Sequence, residues 1–226
     1  MVERVGALKD TLSERGKTDA DSSNRRGMHR RDSAEGNARL TGSTAAVLFV
    51  LLAAEGFTIL NIRGLLTMHI LVGMVLVPPI LLKIGSTVWR FAQYYRGSPD
   101  YRRKGPPPMI LRLLGPIVIV LTVAVFATGI ALLLGPGGWR NQMLLLHKAS
   151  FIVWLAVMAL HVLGHLPETV KLAPRDWLPR TRRQVTGAGL RQWALAASVG
   201  LGLVLGVLVL PRVGPWLVGA SLSHGQ

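Results

Sequence analysis

The chain has 226 residues, half of them apolar, only 16% charged, and a formal net charge of +15. Soluble domains carry roughly a quarter charged residues, so the composition speaks against an ordinary water-soluble globule. With no cysteine in the sequence, disulfides, thiolate metal sites and iron–sulfur clusters are excluded.

Residues 1–39 hold nine basic and seven acidic side chains and almost no bulky apolar ones. Such a stretch buries too little surface to offset its ordering entropy, so residues 1–40 are expected to form a disordered cytoplasmic tail. Its tract Arg25-Arg26-Gly27-Met28-His29-Arg30-Arg31 has the look of a twin-arginine export signal. No small-residue cleavage pattern follows, and the next apolar run is long enough to stay in the membrane, so a solvated or lipid-facing basic tail is the better reading.

Five long apolar runs follow: Gly42 to Leu60, Leu65 to Trp89, Met109 to Leu134, Met143 to Leu166, and Trp193 to Val218. A run of roughly 18 or more apolar residues matches a hydrocarbon core of about 30 Å at 1.5 Å rise per residue. Backbone in lipid must satisfy its own hydrogen bonds, so each run is predicted as a helix. Strand barrels need alternating segments of about ten residues, and the sequence has none. The expected fold class is therefore an all-α integral membrane helical bundle.

Along these runs, Pro78 and Pro79 are expected to kink the second, and Lys83 and Arg112 to snorkel to the nearer surface. Trp89, Tyr94 and Tyr95 read as interfacial anchors. The run Gly105-Pro106-Pro107-Pro108 stiffens the following loop. Trp154 and Met158 read as packing, and Gly200, Gly202 and Gly206 of the fifth run as close-packing positions.

The basic charge is unevenly placed. Six Lys and Arg lie between Arg90 and Arg112 and six more between Lys171 and Arg191, whereas the other two short loops hold only Arg63 and Arg140. Short loops rich in Lys and Arg stay cytoplasmic. This pattern places the N-terminus inside a cell membrane, the turns at 61–64 and 135–142 outside, and the C-terminus outside. It also accounts for the net charge without nucleic acid as a partner.

Ionisable groups within apolar spans are costly and mark candidate function. His69 on the second run and His147 on the fourth each lie four residues from the outer edge, about 6 Å deep at 1.5 Å per residue. Two imidazoles at matched depth on helices running the same way can grip one haem iron from both faces. Gly73, one turn on from His69, leaves room for a porphyrin. Arg140 and Lys148 lie near enough the same edge to neutralise propionates. The competing reading makes each histidine an interhelical hydrogen-bonding group.

His161 follows His147 by fourteen residues, about 21 Å along the axis and near the same face, the spacing of a second haem. The position fourteen residues after His69 is Lys83, so a second bis-histidine haem lacks its partner. His161 and His165 also form an HxxxH pair that could hold a divalent metal, without an evident third ligand. Glu55 lies at the level of His69 and is a candidate proton or quinone site, or one interhelical hydrogen bond.

The segments Thr67-Met68-His69-Ile70-Leu71-Val72-Gly73, Leu146-His147-Lys148 and His161-Val162-Leu163-Gly164-His165 resemble those of membrane cytochromes b of the bacterial hydrogenase and formate dehydrogenase type. The resemblance spans residues 41–166. It implies a four-helix transmembrane haem-binding core, to which the apolar runs and the basic residues add a basic cytoplasmic loop at 167–192 and a fifth transmembrane helix at 193–219. It further implies haem b held by His69 and His147, with electrons passed between a quinone pool and a partner oxidoreductase; such a subunit transforms no substrate of its own. The missing second histidine pair departs from the di-haem pattern. Two other readings stand beside this one: a cofactor-free membrane anchor or assembly protein, and a small metal transporter using Glu55, His161 and His165.

Overall fold

A computed structural model describes residues 33–103, 109–182 and 185–214. All regular structure among these residues is helical. Five long helices dominate: α1 (Ser33–Leu60), α2 (Ile62–Tyr95), α3 (Met109–Leu134), α4 (Arg140–Leu172) and α5 (Ala188–Val209). Each is long and apolar enough to cross a membrane, the hallmark of a multi-pass membrane protein. Large apolar side chains such as Leu60, Ile110, Leu145 and Trp193 stand on the outer surface, where a soluble protein would place charge. The arginine tract at 25–31, the proline run at 105–108 and the predicted end of the fifth span at 215–219 lie outside the described residues.

Short connections make successive helices antiparallel. Asn61 alone separates α1 from α2, and its side-chain Oδ1 accepts from the Gly64 amide at 3.3 Å. The backbone leaves helical geometry at Leu65 (φ −115°, ψ 17°). This is the only such residue inside α2, so φ and ψ stay in the helical range through Pro78 and Pro79. Pro79 has no N–H to offer the Val75 carbonyl one turn earlier, and Gly202 of α5 seats its Cα against that carbonyl, where a Cβ would collide. A neighbouring backbone thus covers the freed oxygen.

Helix α3 lies along α4, and α2 along α5, while α2 and α3 barely touch; α1 is joined to α2 by the Thr41–Ser86 and Lys83–Thr41 hydrogen bonds. The fifth helix therefore packs along the second. Between α3 and α4, the Trp154 indole donates to Thr122 Oγ1 at 2.8 Å.

At one end of the bundle, charge is buried. Asp176, in a short 3-10 turn after α4, is 1% exposed. It accepts from Arg191 of α5 (Nη2–Oδ1 2.8 Å) and pairs with Arg39 of α1 (3.4 Å), itself 2% exposed. Arg39 also donates to the Thr181 carbonyl at 2.8 Å. Residues 33–40, predicted as part of a disordered tail, are thus the first turns of α1. Residues 167–192, predicted as a basic loop, include the last turn of α4 and the start of α5. The fifth helix begins at Ala188, five residues before the expected Trp193, and gives way to a 3-10 turn at Leu210–Arg212.

Candidate functional site

His69 is the eighth residue of α2 and His147 the eighth of α4, so each lies about 10 Å from its helix start at 1.5 Å per residue. Both helices begin at the same end of the bundle, and the rings meet across it. Their centroids are 6.4 Å apart with planes at 77°. The two ligands predicted from matched depth are brought together.

Hydrogen bonds fix which nitrogen of each ring carries the proton. On α1, the Thr58 hydroxyl donates to the Glu55 carbonyl at 2.6 Å. Its oxygen, 3.0 Å from His69 Nδ1, is therefore the acceptor there. Glu55 Oε1 also lies 3.0 Å from Nδ1. With Nδ1–H donating to them, the neutral ring keeps its lone pair on Nε2. The arrangement repeats at His147. The Thr128 hydroxyl of α3 donates to the Ala124 carbonyl at 2.7 Å, so its oxygen accepts from His147 Nδ1 at 3.2 Å. The Val125 carbonyl accepts there too, at 3.1 Å. Neither Nε2 makes a hydrogen bond among the described residues.

Two free acceptor nitrogens thus belong to rings 6.4 Å apart. A metal–imidazole bond is about 2 Å and the bonded nitrogen lies about 1 Å from the ring centre, so imidazoles on opposite sides of one ion have centroids about 6 Å apart. Two such nitrogens could together hold the iron of one haem. No group of three or more His, Cys, Asp or Glu side chains suited to a metal ion occurs among the described residues.

No protein-family model, curated protein or solved structure matches this chain.

The remaining predicted site residues are placed as follows. Gly73 faces Glu55: a Cβ there would sit 3.5 Å from Glu55 Oε1, so the space read as porphyrin room holds the carboxylate. Glu55 is 15% exposed, and its second oxygen is buried without a hydrogen bond. Arg140 is two turns before His147 on the same helical stripe, whereas Lys148 points about 100° away from His147 and is exposed. Of the two, only Arg140 lies over the site's face.

The His161 and His165 rings touch, centroids 4.7 Å apart and planes tilted by 56°. His165 Nδ1 approaches Glu168 at 3.7 Å, and Arg90 approaches the same carboxylate at 3.8 Å. Glu55 is engaged at His69 instead, so the three residues of the transporter reading do not assemble. Lys83, predicted to snorkel, turns inward and donates to the Thr41 carbonyl of α1 at 2.9 Å. Arg112 lies over the Tyr95 ring, 5.5 Å from its centre.

Sequence reasoning missed Thr58, Val125, Thr128 and Gly129. Gly129 lets α3 approach His147, since a Cβ there would come within 3.1 Å of Cε1. An isolated glycine inside an apolar helix was the available signal; nothing in the sequence distinguishes the two threonines.

Proposed function

We propose that this protein is a b-type haem-binding electron-transfer subunit of the cell membrane, with His69 and His147 as axial ligands. The observation that carries the reading is the pair of Nε2 lone pairs on two rings 6.4 Å apart, each ring held from behind through Nδ1. Back-bonded imidazoles are the usual design of metal-ligating histidines, because the bond fixes tautomer and orientation.

When bound, haem supplies a one-electron redox centre, and the chain's residues position it. Thr58 and Glu55 orient His69; Thr128 and Val125 orient His147. Gly129 gives the His147 ring its clearance, and Arg140, on the same stripe of α4, would supply a cation to a propionate. The apolar helix surfaces exclude water. In this reading electrons pass between a quinone pool or partner and an oxidoreductase, with the basic ends of the helices cytoplasmic, the N-terminus inside and the C-terminus outside. The reading assigns one haem, because Lys83 occupies the place a second pair would need and is itself bonded to Thr41.

The test is spectroscopic. Membranes holding the purified chain are expected to be red, with a Soret band and one haem per chain. His69→Ala and His147→Ala each abolish the band, while His161→Ala keeps it. A folded chain that stays colourless with added haemin, or one that loses haem through His161→Ala but not His147→Ala, overturns the assignment.

A further inference from the structure

The two rings are alike in tautomer but not in partner. His147 Nδ1–H is held by neutral oxygens alone, the Val125 carbonyl and the Thr128 hydroxyl. His69 Nδ1–H meets a hydroxyl and a carboxyl group. That carboxyl is committed to the ring: Oε1 is 3.0 Å from Nδ1, and Oε2 is buried with no hydrogen bond of its own. Glu55 is also fixed from its own helix, because Thr58, one turn on, donates to its carbonyl and accepts from the same imidazole. Opposite it stands Gly73, where a Cβ would lie in ordinary contact with the carboxyl, 3.5 Å from Oε1.

Resting on the haem reading above, we propose that Glu55 is a positioning residue that makes the two axial ligands unequal, His69 being the stronger electron donor. A carboxylate at Nδ1–H raises the basicity of the opposite nitrogen, and a neutral carbonyl does so less. A more basic ligand favours the ferric state over the ferrous state. Glu55 therefore lowers the reduction potential of the centre, acting through His69 and without touching iron, substrate or quinone. This gives the buried carboxylate a role distinct from proton uptake or quinone binding.

The test uses the full chain loaded with haemin, measuring haem per chain, the reduced-minus-oxidised spectrum and the midpoint potential. In Glu55→Gln the amide oxygen still accepts from Nδ1–H but carries no charge. This variant is expected to bind one haem with a potential raised by at least a tenfold change in the ferric-to-ferrous ratio, about 59 mV for one electron. Thr128→Val, which perturbs only the uncharged partners of His147, shifts it less. Glu55→Ala, which removes the acceptor, weakens haem binding roughly 10- to 100-fold. A Glu55→Gln protein at wild-type potential, or a Thr128→Val shift of equal size, overturns the proposal while leaving the haem reading intact. A wild-type chain that takes up no haemin overturns both.

Discussion

A carboxylate buried at 1% exposure between two arginines decides how one end of this molecule holds together. Removing one partner of a buried ion pair strands the other, at a cost of about 3–5 kcal/mol. Asp176→Ala is expected to lose stability on that scale in reversible unfolding from mixed micelles, since it strands both Arg39 and Arg191. Arg175→Ala is the control. Its pair with Glu35 involves a side chain 44% exposed, and surface pairs are worth about 0–1 kcal/mol. Neither the cluster nor the threonines behind the histidines could be read from the sequence. Asp176 stands 137 residues from Arg39, and charge in a tail looks solvated until its distant partner is known. The histidines were legible for the opposite reason, because equal offsets on two parallel helices need only the helical rise to bring the rings level.

The five apolar runs became five helices in the expected order, because length and hydropathy against a fixed bilayer thickness are local properties. Their ends shifted by a few residues where long-range contacts recruit polar chain, as Arg39 does for α1 and Arg191 for α5. The glycines of α5 were read alike but differ in place. Gly202 abuts the Val75 backbone, Gly206 meets Leu71, and Gly200 has nothing within 4 Å. Gly202→Ala is expected to push α5 off α2 and to lower thermal stability in detergent by several degrees. Gly200→Ala should be neutral or slightly stabilising, because alanine is the better helix former. Equal effects from both would mean that the glycines act only through helix propensity. The carbonyl of Val75, left without a partner by Pro79, is covered by another helix, which periodicity within α2 cannot reveal.

Taken whole, the molecule alternates direction with each long helix and gathers buried charge at one end. That end holds Arg39, Asp176 and Arg191; the histidine pair lies nearer the other. The lack of cysteine makes sidedness easy to measure. A single cysteine at Gly138, an exposed site with open space around it, is expected to react with an impermeant maleimide in intact cells. One at Arg103 should react only after permeabilisation. The reverse pattern would invert the proposed topology.

The way the helices pair also sets an order of assembly. Helices α3 and α4 are neighbours in sequence and can close on each other as soon as both are inserted, because nearby contacts cost little loop entropy. Helix α2 must wait for α5, made last, to cover its Val75 carbonyl. His69 already has its partners Glu55 and Thr58 from α1 by then. The last helix made is thus the one that completes the α2 side of the bundle.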